Sequence, residues 1–182
     1  MIVFGADPGL AACGLALVEV HGRERRLVAS DTVYTLPSMA HEARLDEIGR
    51  RALPMMRRAD LVGLEEQGDA WHGKGARGQT NADARKVQDV LSLLRGLALA
   101  LGRPREVLRP QTIRSLLGVG QKGGKVATAR MVRILVAGVP AERRISQHAV
   151  DGIAHAVAAE KVRHVANTQG WIAGTKGTAD AR

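Results

Sequence analysis

The chain has 182 residues, 45% hydrophobic, 25% charged and 2% aromatic. It has room for one core, which must be aliphatic, because Phe4, Tyr34, Trp71 and Trp171 are its only aromatics. The lone Cys13 excludes an intramolecular disulfide and a cysteine-rich metal site. No segment reaches transmembrane length and no basic, signal-like stretch opens the chain, so the sequence reads as cytoplasmic, with no membrane partner. The net charge of +9 is uneven: Lys74 to Arg144 carries fifteen Lys/Arg against four Asp/Glu, the remainder twelve against fourteen. Such a basic segment is the electrostatic footprint of a nucleic-acid binder, although solvated helix faces give the same count.

In chain order, Ile2 to Ala6 and Gly14 to Val20 read as two strands of a hairpin, and the β-branched run Leu27 to Leu36 as a third. Pro37 and Ser38 end that run. Ala43, Leu45, Ile48, Leu53 and Met56 recur at helical spacing over His41 to Arg58, with Pro54 set to kink or end the helix. "LVGLEEQ", 61 to 67, is a short apolar strand ending in acid, and "GDAWHGKGARGQ", 68 to 79, is a glycine-rich loop.

A helix follows to about Leu101, with Val87, Val90, Leu91, Leu94 and Leu97 on one face. That face is mostly core and is also a candidate dimer surface. "REVLRP", 105 to 110, is a fifth strand, and Gln111 to Leu117 a short helix before the second glycine-rich basic loop, "GVGQKGGK". Two further helices span about Val126 to Ala137 and Gln147 to Asn167. The sequence divides into a folded unit over 1–167 and a flexible tail over 168–182. Three strands, helix, strand, helix, strand and then helices imply an α/β fold: a five-stranded mixed sheet flanked by helices.

Acids fall at the ends of three elements: Asp7 after the first strand, Glu65 and Glu66 after the fourth, and Asp151 early in the final helix. Singly, each has an ordinary explanation as turn residue, cap or solvated strand end. His148 stands three residues before Asp151, so the two share a helix face. If the first and fourth strands are neighbours, a helix across their ends brings all of these groups together. Gathered carboxylates repel, and a divalent cation relieves them. Oxygen donors suit Mg²⁺ or Mn²⁺, and two such ions, roughly 3.5–4 Å apart, serve phosphodiester cleavage. Strand alternation allows only one of Glu65 and Glu66 to face the ions.

"IVFGADPGLAACGLALVEV", "VGLEEQ" and "HAVDGIAHAVAA" resemble, in order and spacing, the motifs of the RuvC family of Holliday junction resolvases over residues 1 to about 165. The resemblance implies an RNase H-like fold, a homodimer, and Mg²⁺- or Mn²⁺-dependent paired nicking of four-way DNA junctions in recombination and repair. A branch-migration motor is the implied protein partner. It implies Asp7, Glu65, His148 and Asp151 as catalytic groups and metal ligands, with two ions per site. Many members of the family carry an acid where His148 stands, and an imidazole there serves as ligand or as general base.

Lys74 and Arg77 in the first loop, with Arg114, Lys122 and Lys125 around the second, are placed to neutralise phosphates. Trp71 stands where the family places an aromatic that stacks on a base; it could equally pin its loop. His155 and His164 read as structural or exposed. Other readings are an ATPase or kinase fragment of the sugar kinase, actin and Hsp70 superfamily, the shorter RNase H-like relative YqgF, and a junction-binding protein that does not cut. The superfamily needs two domains and a second phosphate loop, YqgF lacks so long a basic half, and an intact acidic set argues against the third.

Overall fold

A computed structural model describes residues 1–66, 81–120 and 123–179, with side chains described outside 81–83 and 168–179. Trp71, Lys74, Arg77 and Lys122 lie outside the described residues.

Five strands form one mixed sheet in the order β3-β2-β1-β4-β5. They are β1 (Ile2–Asp7), β2 (Ala12–His21), β3 (Glu24–Tyr34), β4 (Leu61–Glu65) and β5 (Arg105–Leu108). The pairs β1–β2 and β2–β3 are antiparallel, whereas β4 lies parallel to β1 and β5 parallel to β4. The first strand is therefore flanked by β2 and β4, and its C-terminal end lies beside that of β4. The third strand starts earlier than expected because Gly22, at φ +58°, closes a tight hairpin that pairs His21 with Glu24. Its charged opening, "ERR", hid that start, and this outer edge is partly covered by backbone bonds from Ala137 to Arg25 and Leu27.

The helices are α1 (His41–Arg57), α2 (Asn81–Ala100), α3 (Pro110–Leu116), α4 (Lys125–Leu135) and α5 (Gln147–Ala179). Pro54 lies within the last turn of α1, which continues to Arg57. The final helix extends past Asn167, where the sequence pattern fades, to Ala179. A 3₁₀ turn over Glu142–Arg144 precedes it and has no expected counterpart.

Alternation along the strands divides the molecule into layers. Phe4, Ala6, Leu15, Leu17, Val62 and Leu64 point to one face, where Ile48, Ala52 and Met56 of α1 and Val90, Leu91 and Leu94 of α2 cover them. The apolar stripe of α2 is thus core, although Leu99 beside it is exposed. Val3, Ala16, Val18 and Leu61 point to the other face, against Ile113 of α3, Val132 of α4 and Ile153, Ala156 and Val157 of α5.

The helix α5 sits unusually close to the sheet, because the residues beneath it are glycines. A Cβ on Gly14 would lie 1.8 Å from the His148 carbonyl oxygen, on Gly5 2.1 Å from that of Gly152, and on Gly63 2.5 Å from that of His155. No side chain fits at these three positions, so the helix backbone rests directly on β2, β1 and β4. Its N-terminus is held by Ser146, whose Oγ accepts the Ala149 amide at 3.0 Å and meets the Thr32 hydroxyl of β3.

Candidate active site

The alternation that builds the core also aims the acids. On β1, Val3, Gly5 and Asp7 share the α5 face; on β4, Leu61, Gly63 and Glu65 do the same. The strands are in register, Val3 beside Leu61 and Gly5 beside Gly63, so Asp7 and Glu65 end adjacent strands on one face. Glu66 points elsewhere: its Oε2 accepts from Arg109 Nε at 3.3 Å.

The helix supplies the facing groups. His148 donates from Nδ1 to Asp7 Oδ2 at 2.8 Å, and His155 from Nε2 to Glu65 Oε2 at 3.0 Å. Asp151 lies between them in sequence and accepts from Gln147 Nε2 at 2.8 Å. The hydrogen bond to Asp7 raises the His148 pKa against the opposing effect of partial burial. Burial and then the nearby Asp7 carboxylate raise that of Asp151, so ionising it here is costly. The pKa of His155 is also raised: burial opposes the charge most strongly, but the carboxylates of Glu65, Asp7 and Asp151 together outweigh it.

A cavity of about 230 Å³ opens beside these groups. Glu65, Asp151 and His155 line one side; Ile113 and Arg114 of α3, and Gly124, Lys125 and Thr128 at the start of α4, line the other. An acidic wall thus faces a basic one.

The sequence-predicted Asp7, Glu65, His148 and Asp151 are brought to one end of the sheet, and Arg114 and Lys125 to the same cavity. Of the two readings of His155, structural or exposed, the first holds: it is 3% exposed and bonded to Glu65 beside the site. A signal was present, because His155 follows His148 by seven residues and Asp151 by four, which places all three on one helix face. His164 is exposed.

Among the described residues, no three His, Cys, Asp or Glu side chains converge closely enough to grip an ion as they stand. In the metal-free protein Asp7 and Glu65 each give one oxygen to an imidazole, and the other oxygen of each remains. The donor chemistry nevertheless fits a hard divalent cation: three carboxylates on facing elements, one of them costly to ionise beside its neighbour.

The chain is similar to the Thermus thermophilus RuvC structure at 27% identity and a TM-score of 0.71, covering 87% of this chain and 92% of that one. The chain is RuvC-like. T. thermophilus RuvC in complex with Holliday junction substrate matches over the same shares, at 28% identity and a TM-score of 0.71. The fowlpox virus Holliday junction resolvase, at 14% identity and a TM-score of 0.53 over 90% of this chain and 97% of that one, shares the fold. No protein-family model matches the chain, and neither does any curated protein. The RuvC-like architecture is the RNase H-like α/β arrangement, with the five-stranded mixed sheet that element order implied. Among the described residues, no helix is long and apolar enough to cross a membrane.

Proposed function

We propose that this protein is a structure-specific endonuclease that resolves four-way DNA junctions by metal-dependent paired nicking, as a homodimer acting in recombination and repair. The observation that carries the reading is the gathering of Asp7, Glu65, His148 and Asp151 at one end of a RuvC-like sheet, where Glu65 and Asp151 share a cavity with Arg114 and Lys125. T. thermophilus RuvC, which shares that fold, has been solved with Holliday junction substrate.

Asp7, Glu65, Asp151 and His148 are the residues that would hold Mg²⁺ or Mn²⁺, which would supply charge neutralisation at the scissile phosphate and polarisation of a water. The chain's own groups do the rest. Arg114 and Lys125 hold phosphate oxygens against the acidic wall and offset the charge that develops on them. With Nδ1–H given to Asp7, a neutral His148 presents the Nε2 lone pair, suited to ligation or to taking a proton from water. The glycine-seated α5 fixes the backbone of His148 and Asp151 relative to Asp7, so only side chains need adjust for a cation and DNA. Junction resolution needs two cuts of matched geometry, which a two-fold dimer provides. A branch-migration motor is the protein partner that this role calls for.

A synthetic four-way junction, a linear duplex control and either Mg²⁺ or Mn²⁺ test the reading. The wild type nicks opposing strands of the junction and spares the duplex, and Asp7→Asn binds the junction without cutting. A wild type that prefers linear duplex, or full cleavage by Asp7→Asn, overturns it.

A further inference from the structure

His155 is the buried titratable group at this site that the reaction as described does not use. It is 3% exposed, its Nε2–H donates to Glu65 Oε2, and its Nδ1 is buried without a hydrogen-bond partner among the described residues. Buried polar atoms nearly always find partners, and an orphaned one is costly to the fold. A histidine serving only to fill the core would be bettered by an aliphatic residue, in a helix segment that is otherwise Ile153, Ala154, Ala156, Val157 and Ala158. The ring is instead placed where one nitrogen fixes a carboxylate.

We propose that His155 is a positioning residue that holds Glu65 for cation binding. The β4 strand ends at Glu65, and His155 is the side chain hydrogen-bonded to it among the described residues. The carboxylate is about one-third exposed and otherwise free to turn toward water. The bond from His155 selects the rotamer that faces α5 and occupies Oε2, which leaves Oε1 for the cation. The arrangement is rigid, because α5 backbone at His155 packs on Gly63, two residues before Glu65 on the same strand face. Partners that orient a ligating carboxylate typically change metal affinity by about 10- to 100-fold when removed.

This inference rests on the nuclease reading for its activity assay, but direct Mn²⁺ binding separates the two. Mn²⁺ is titrated into DNA-free wild type, His155→Leu and His155→Gln, with free ion followed by electron paramagnetic resonance. The Mn²⁺ concentration for half-maximal junction cleavage is measured in parallel. His155→Leu weakens Mn²⁺ binding by about tenfold or more and raises the Mn²⁺ requirement for cleavage by a similar factor, with junction affinity unchanged. His155→Gln, which keeps a donor, recovers part of both.

On the wild type alone, ¹⁵N-edited NMR of the imidazoles shows a slowly exchanging His155 Nε2–H, a readout that stands even where a variant fails to fold. A folded His155→Leu with wild-type Mn²⁺ affinity overturns the inference, as does a His155→Gln no better than His155→Leu, or a wild type that binds no Mn²⁺. Should the wild type bind Mn²⁺ but cut no junction, the nuclease reading fails, and the binding comparison still decides the role of His155.

Discussion

Replacing Gly14 with alanine tests whether the close seat of α5 makes the site. Gly14 pairs with Asp7 across β1 and β2, and its missing side chain leaves room for the first turn of α5. An added Cβ would lie 1.8 Å from the His148 carbonyl oxygen and 2.2 Å from its carbon, whereas ordinary contact begins near 3.4 Å. Both colliding atoms are backbone, so no side chain can swing aside; the helix must retreat by about 1.5 Å. Overpacking of this kind costs about 1–3 kcal/mol. For a chain of this size, each kcal/mol lowers Tm by roughly 2–4 °C. The same retreat carries His148 and Asp151 away from Asp7, and a misplacement of about 1 Å can cost about 10²-fold in rate.

Circular dichroism melts and single-turnover junction cleavage read the two effects. The expected Gly14→Ala protein is folded, melts lower, binds junctions and cuts about 10²-fold more slowly. Gly96→Ala in α2, where an added Cβ meets nothing within 4 Å, is the control and cuts normally. A Gly14→Ala protein that cuts at the wild-type rate with unchanged Tm refutes the reasoning.

Asp151→Asn removes a carboxyl whose pKa burial and Asp7 hold above its ordinary value. A raised acid destabilises the fold above its unfolded pKa, near 3.8, and the penalty disappears as pH falls below it. The metal-free variant therefore melts higher than wild type at pH 7, by an amount that shrinks toward pH 3, while cleavage is lost; a lower Tm at pH 7 contradicts this. Glu65→Gln lowers cleavage by about 10²-fold or more, the scale for losing one group that stabilises developing charge, and Glu66→Gln leaves it near wild type. Equal loss at both would mean that β4 alternation does not select the site. Burial pushes the Cys13 thiol up to about 12. An aromatic disulfide reagent at pH 8 accordingly leaves the native protein unmodified and reacts once guanidinium unfolds it; rapid native labelling would place Cys13 outside the core.

Much of this architecture was legible because it is local. Period-2 alternation sets the strands, the Asp7-Pro8-Gly9 turn marks where β1 must stop, and the spacing of His148 and Asp151 puts them on one helix face. The start of β3 was not legible: its first three residues, Glu24, Arg25 and Arg26, are charged, and the hairpin register rather than side-chain pattern makes them strand. The length of α5 was not legible either, since apolar periodicity ends before the helix does. The role of His155 depends on a partner ninety residues earlier, on a strand whose adjacency only the parallel crossover creates. A helix face can be read from spacing; what the face meets cannot.

That crossover also explains how the fold tolerates its acids. Two parallel strands carry the same alternating sequence on one face, Val3-Gly5-Asp7 and Leu61-Gly63-Glu65: an apolar anchor, a glycine that admits the helix, then an acid at the end. The closeness that makes a site also concentrates negative charge. Two of the three carboxylates accept from imidazoles of α5, Asp7 from His148 and Glu65 from His155, while Asp151 accepts from the neutral amide of Gln147. Burial first and the Asp7 charge second raise the pKa of Asp151. A histidine at 148 in place of a further acid is then an advantage to the metal-free protein. It removes one negative charge from the site and provides a proton that can leave when a cation arrives, so cation binding to this chain releases protons where His148 is charged.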